Sequence, residues 1–163
     1  MSKELNKKSG IVGVSGEFFV AAELSQRGIV ATLTLKNTPS IDIIATNLEK
    51  GTVANIQVKT MSIGNKNGWR LGPKDEEPSN IKNHYYVLVD LQGLNKLPEY
   101  TIIPKKDLAN FINKNHRDWL AVPKKDGTPR KDTDIRVFNP NINKECKKFA
   151  EKYKDNWNIL KLS

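Results

Sequence analysis

Apolar and polar residues alternate along two neighbouring runs, Ile41 to Thr46 and Val53 to Thr60, with the polar stretch N-L-E-K-G-T at 47–52 between them. Period-two alternation on both sides of a short polar loop predicts a β-hairpin. If the loop closes with Thr46 opposite Val53, antiparallel pairing sets Asp42 opposite Gln57. One face then carries Ile41, Ile43, Ala45, Ala54, Ile56 and Val58, wholly apolar, while Asp42, Ile44, Thr46, Val53, Asn55, Gln57 and Lys59 share the other.

Other patterns predict what surrounds the hairpin. Good helix formers from Ser15 to Gly28 predict a helix with a serine N-cap and a glycine end. Ser9 is an alternative start, reached across Gly10, Gly13 and Gly16, each of which weakens a helix. The β-branched run at 29–36 reads as a strand, closed by the turn N-T-P-S at 37–40. Residues 61–80 are rich in glycine and proline and read as loop, with W-R-L at 69–71 a short strand. H-Y-Y-V-L-V-D-L from His84 has the continuous apolar character of a central strand, and Y-T-I-I-P from Tyr100 is a shorter one. Helical spacing marks Asp107 to Asn115 and Asn143 to Trp157. This order of elements predicts an α/β fold in which helices cover both sides of a mixed sheet.

The chain of 163 residues fits one domain, 1–163, and with 37% hydrophobic and 28% charged residues it has a globular composition. No apolar run approaches the ~20 residues of a membrane span. The charged N-terminus lacks the apolar stretch of a signal peptide, so a cytoplasmic protein without a membrane partner is expected. One cysteine excludes an internal disulfide, and with two histidines it leaves too few soft ligands for zinc, so any metal would be held by oxygen. Lys and Arg outnumber Asp and Glu by 27 to 18, a net charge of +9, which is the electrostatic footprint of a polyanion binder as well as of a merely lysine-rich surface.

Candidate chemistry gathers on the polar face of the hairpin. A carboxylate and an amide directly across a strand pair, with an ammonium two residues on, can hold a hard divalent cation such as Mg²⁺ and act on a phosphate. Glu17 shares a helical stripe with Val20, Ala21 and Leu24, which brings a second carboxylate toward the buried side. Two plainer readings compete: an Asp42–Lys59 surface ion pair worth about 0–1 kcal/mol, and a Glu17 that only complements its helix dipole.

The succession G-E-x-x-V-A-A-E-L-x-x-x-G, S-I-D-I-I-A and I-Q-V-K-T over residues 10–60 resembles the PD-(D/E)XK nuclease superfamily, particularly the branch similar to Holliday junction resolvases. The resemblance implies a restriction endonuclease-like, three-layer αβα sandwich with a central mixed sheet. It implies Mg²⁺ (or Mn²⁺) as cofactor, held by Asp42, Gln57, Glu17 and the Val58 backbone carbonyl. Glu17, Asp42, Gln57 and Lys59 are then the catalytic set of an endonuclease acting on nucleic acid, DNA in the first instance. The chain departs from the family pattern twice: Pro39 lies three residues before Asp42, and Gln57 stands where an acid is usual, removing a negative charge while keeping an oxygen able to ligate. The second departure raises the alternative of an inactive, binding-only module on the same fold.

Trp69, after the motif lysine, is a candidate for stacking on a base, with packing against its own domain as the plainer reading, and Lys124, Lys125, Arg130 and Lys131 in the segment 122–136 are candidate phosphate contacts, with a solvated loop as the plainer reading. Arg136 belongs to the same basic run. Trp119, Trp157, Tyr85 and Tyr86 are expected in the core, His84 as a structural hydrogen-bonder, and His116 has no obvious partner. A homodimer is compatible with these features.

Overall fold

The computed structural model describes residues 2–35 and 38–162, with side chains described from Ser9 onward. Lys36 and Asn37, in the expected first strand and its turn, lie outside the described residues. The chain forms α1 (Ser2–Ser25), β1 (Val30–Leu33), β2 (Ile43–Asn47), β3 (Thr52–Met61), β4 (Trp69–Leu71), β5 (His84–Asp90), β6 (Glu99–Pro104), α2 (Lys105–Ala121), β7 (Arg136–Phe138) and α3 (Lys144–Glu151). Two 3₁₀ turns, Pro73–Glu76 and Trp157–Leu160, complete it.

This is a mixed α/β architecture. Five strands pair in the order β1-β2-β3-β5-β6, parallel between β3 and β5 and antiparallel elsewhere, while β4 and β7 form a separate two-stranded sheet. The hairpin closes as its pattern requires, with Thr46 opposite Val53. Asn47 Oδ1 accepts from the Glu49 and Lys50 N–H groups, and Gly51 takes a positive φ of 64° at the turn. β5 is buried along six of its seven residues, in keeping with its unbroken apolar run.

The apolar hairpin face supplies Ile43, Ala45, Ala54, Ile56 and Val58 to a core shared with Val20 and Leu24 of α1. On the opposite face Tyr86, Leu88 and Ile103 pack with Leu108 and Ile112 of α2, Cys146 and Ala150 of α3, and Trp69 and Phe138 of the small sheet. α1 starts well before Ser15 and runs through three glycines. At Gly16 the reason is visible, because a Cβ there would lie 1.9 Å from Thr60 Oγ1, so only glycine allows this approach of helix to β3. The helix ends in a Schellman arrangement: Gly28 has φ 74°, its N–H bonds Ser25 O, and the Ile29 N–H bonds Leu24 O.

Several expectations need correction. Trp69 lies in the expected short strand but is not available to a base: it is 6% exposed, packs on Phe138 with ring centroids 6.1 Å apart, and donates from Nε1 to Val89 O. Trp119, expected in the core, is 40% exposed because α2 continues to Ala121 and carries it past the packed part of the helix. Arg136 leaves the basic loop for β7, where it is buried in a two-pronged contact with Glu76. The helix expected to run to Trp157 stops at Glu151, and Trp157 reaches the core from the 3₁₀ turn that follows.

Candidate functional site

The site is organised by the point at which β2 stops. The ladder between β2 and β3 ends at Ile43 opposite Ile56, whereas β3 continues to Met61. Asp42 still donates its N–H to Ile56 O at 2.8 Å, but the next donor along that edge of β3, the Val58 N–H, meets the Asp42 carboxylate instead of a backbone carbonyl, at 2.7 Å to Oδ2. The Gln57 side-chain amide donates to the same oxygen. Since the N–H and C=O of one strand residue point to the same edge, the Val58 carbonyl lies on the side of β3 where Asp42 stands. Asp42 and Gln57 thus meet as the hairpin register requires.

Asp42 is held in place from behind. Ser40 adopts a left-handed φ of 61°, uncommon for a residue with a side chain, and its carbonyl lies 3.0 Å from His84 Nε2. Burial holds the His84 pKa below its ordinary value, so the ring is neutral: Nε2–H donates to Ser40 O, and Nδ1 accepts from the Ser79 hydroxyl at 2.8 Å. Thr34 adds two bonds, from its N–H to Asp42 O and from its hydroxyl to Ile41 O. His84 is therefore a positioning residue for Asp42. Its sequence context, a histidine opening an apolar strand, pointed to a hydrogen-bonding role but not to this partner.

Tyr86 stands beside Gln57 in the β3–β5 register and donates its hydroxyl to Asp75 Oδ1 at 2.6 Å. Burial, then the bond to Asp75 and the charges of Asp75 and Asp42, push the Tyr86 phenol far above its ordinary value. Asp75 is 1% exposed and also accepts from the Gly72 N–H, while the buried Lys105 ammonium donates to the Asp75 and Lys74 carbonyls at 2.7 and 3.2 Å. This network ties the segment 72–76 to β5 and α2 beside the hairpin. Nothing in the local pattern at 72–76 distinguished Asp75 from the solvated acids next to it.

Lys59 is half-buried on the Gln57 side of β3 and forms no ion pair with Asp42, which removes the surface ion pair as an account of the cluster. Glu17 is half-buried on α1, beside Gly16, and α1 covers the face opposite Gln57 and Lys59. The structure thus brings Asp42, Gln57 and Val58 into contact, sets Lys59 next to them, and places Glu17 on the helix behind. Among the described residues no three His, Cys, Asp or Glu side chains stand together as a metal cluster.

No family model, no curated protein and no solved structure matches this chain. The chemistry of the site therefore rests on its own atoms. A carboxylate, a backbone carbonyl and an amide oxygen are the hard donors a Mg²⁺ ion takes, and such an ion keeps several waters, so a small donor set fits it. The Gln57 amide must turn over for its oxygen to join that set, because at present its nitrogen faces Asp42.

The basic segment divides. Lys124, Lys125 and Lys131 are exposed, whereas Arg130 is half-buried, stacks its guanidinium 4.7 Å from the Trp119 ring centroid and donates from Nε to Val122 O. His116 does have partners: it bonds Asp132 at 2.7 Å and stacks on Trp119. Among the described residues no helix is long and apolar enough to cross a membrane.

Proposed function

We propose that this chain is a Mg²⁺-dependent endonuclease hydrolysing phosphodiester bonds in nucleic acid, DNA in the first instance, on a three-layer αβα framework of the restriction endonuclease-like kind. The observation that supports this reading is the Asp42 carboxylate just before β2, fixed against Gln57 and the Val58 backbone, with an ammonium two residues along β3 that forms no ion pair among the described residues. Asp42, the Val58 carbonyl and the Gln57 amide oxygen would hold the ion, with Glu17 adding negative charge from α1. A divalent ion supplies charge stabilisation at a phosphate under attack and a more acidic bound water. Lys59 orients the attacking water or stabilises charge growing on the phosphate, and the positive field of the chain draws the polyanion in. Incubation of plasmid and four-way-junction DNA with the protein in Mg²⁺ or Mn²⁺ tests this. Cleavage should fall by about 10²-fold or more in both Asp42→Ala and Lys59→Ala. Absent cleavage, or cleavage unchanged in both variants, refutes the reading.

One observation favours a second reading, a module that binds nucleic acid without cutting it: the Gln57 amide presents its nitrogen, not its oxygen, to the Asp42 carboxylate. That reading expects salt-sensitive binding indifferent to divalent ions. Calorimetric detection of a Mg²⁺ site that Asp42→Ala abolishes eliminates it.

A further inference from the structure

A cavity of about 650 Å³ opens where β5 starts, β6 ends and α2 begins, and none of the residues lining it belongs to the Asp42 cluster. Its size is that of a small-molecule site, ~300–1,000 Å³. The walls are mainly apolar, with Tyr85, Pro104 and Ile159 among them, and three lysines, Lys105, Lys106 and Lys161, line it against one carboxylate, Asp107. That carboxylate already accepts from the Tyr153 hydroxyl at 2.9 Å, and among the described residues none of the three lysines forms an ion pair. Burial lowers the pKa of His84 and Lys105 and raises those of Tyr85 and Tyr153, the last to about 12, and all four groups line this one cavity. Lys161 holds its place from a left-handed backbone, φ 54°, which glycine adopts at less cost but without a charge to offer. The first turn of α2 follows Pro104, which gives its N–H groups no side-chain acceptor.

We propose that this cavity binds a purine nucleoside monophosphate, its phosphate held by Lys106 and Lys161 and its base against the apolar wall of Tyr85, Pro104 and Ile159. Charge selects the head group. Three ammonium groups against one carboxylate leave an excess of two positive charges, and a phosphate monoester carries about −1.5 to −2 at pH 7, where a carboxylate would leave half of the excess unmet. The walls select the body. A base has an apolar face for them and a polar edge besides, and Asn110 lines the cavity with a side-chain amide that bonds no other group among the described residues. A side-chain amide matches the paired donor and acceptor on the edge of adenine. A strand of nucleic acid fits less well, because its backbone phosphates carry one charge each and lack the terminal dianion that this balance calls for.

Binding here requires neither Asp42 nor a metal, so titration calorimetry with 5′-AMP in EDTA tests the site apart from any nuclease activity. 5′-AMP should bind with a Kd below about 1 mM, and adenosine about tenfold more weakly or worse. Lys106→Ala and Lys161→Gly, both at exposed positions, should each weaken 5′-AMP about fivefold or more. Lys161→Gly also relieves the left-handed backbone, so its thermal midpoint should not fall, which separates loss of binding from loss of fold. Lys96→Ala, at an exposed position between β5 and β6, should leave binding intact. Saturable binding of 5′-AMP that is absent up to ~1 mM overturns the proposal, including in a chain that does bind an oligonucleotide. So does adenosine binding as tightly as 5′-AMP, an affinity unchanged in both Lys106→Ala and Lys161→Gly, or an equal loss in Lys96→Ala.

Discussion

Replacing Gln57 by glutamate probes the site most directly, because the change exchanges a hydrogen-bond donor for an acceptor at the atom facing Asp42 Oδ2. Two terms follow without metal. The bond from amide to carboxylate is lost, about 1.5–3 kcal/mol for a hydrogen bond to a charged group. Two carboxylates also come into contact, a repulsion of about 4 kcal/mol at 4 Å with an effective dielectric constant of 20. Proton uptake limits the second term. Holding one proton on a carboxyl of ordinary pKa about 4.3 costs about 3.7 kcal/mol at pH 7 and only about 1 kcal/mol at pH 5. Because the protonated carboxyl donates to Asp42 in place of the lost amide, proton uptake caps the whole loss at about 3.7 kcal/mol at pH 7 in EDTA. The sign of the pH effect is fixed by linkage: the folded variant keeps a proton the unfolded chain has released, so its stability falls as pH rises above about 4.3 and recovers as pH falls. A divalent ion that uses the added charge should return about 2.7 kcal/mol at one hundred times its Kd. Urea unfolding of both proteins at pH 5 and pH 7, with EDTA or with Mg²⁺, measures every one of these quantities. A variant as stable as the wild type at pH 7 in EDTA, or a loss indifferent to both pH and Mg²⁺, refutes the geometry on which the site rests.

Three further predictions test the supports of the site and fold. His84→Ala frees the Ser40 carbonyl and should cost about 1–3 kcal/mol together with a loss of Asp42-dependent Mg²⁺ binding by calorimetry, while His84→Gln, which keeps a donor, should restore part of both. Because the folded His84 pKa lies below 6.5, the unfolded chain protonates first and stability declines as pH falls from 6.5, a slope that His84→Gln should remove from the unfolding profile. Arg136→Met strands Glu76 and should cost about 3–5 kcal/mol in denaturant melts. The same pair adds an acid-side slope: chiefly through its bond to Arg136, the Glu76 pKa is held below 4.5, so its stabilisation is complete above that pH and lost as pH falls through the lower folded value. Gly13→Ala and Gly16→Ala should move stability in opposite directions. The first gains about 1 kcal/mol of helix propensity in open space, whereas the second drives a Cβ to within 2.9 Å of Thr60 Cβ and should lose about 1–3 kcal/mol, so equal gains in thermal denaturation contradict the close packing of α1 on β3.

The hairpin was legible because its information is local. Alternation over 41–60 sets the faces, Asn47 and Gly51 make the turn, and the turn sets the register that brings Asp42 to Gln57. The long apolar run of β5 announced a central strand for the same reason. What escaped the sequence is what depends on distant partners. β4 and β7 are three residues each and lie far apart in the chain, so although W-R-L could be read as a short strand, nothing in its pattern revealed β7 as its partner. The three glycines of α1 argued locally for a late helix start, and at Gly16 close packing on Thr60 overrides that propensity.

Gln57 and Lys59 belong to a regular strand, and their common side of β3 follows from spacing alone. For Asp42 more is needed: its contact with the Val58 N–H exists because β2 begins only at the next residue, where the chain has just turned left-handed at Ser40, which is tied to His84 on β5. The meeting of Asp42 with Gln57 could thus be read from the hairpin register, while the contact of the carboxylate with the Val58 N–H depends on a turn tied by a bond between segments 44 residues apart. The same feature makes the site adjustable. The carboxylate caps a strand edge instead of sitting within a ladder, so Asp42 can exchange the Gln57 amide for another partner without breaking a β2–β3 backbone bond, since its own N–H stays on Ile56 O. A Gln57 variant that alters Mg²⁺ affinity while leaving amide exchange along β2 and β3 unchanged is the outcome this arrangement requires, and altered protection throughout the hairpin would show that the carboxylate is part of the ladder after all.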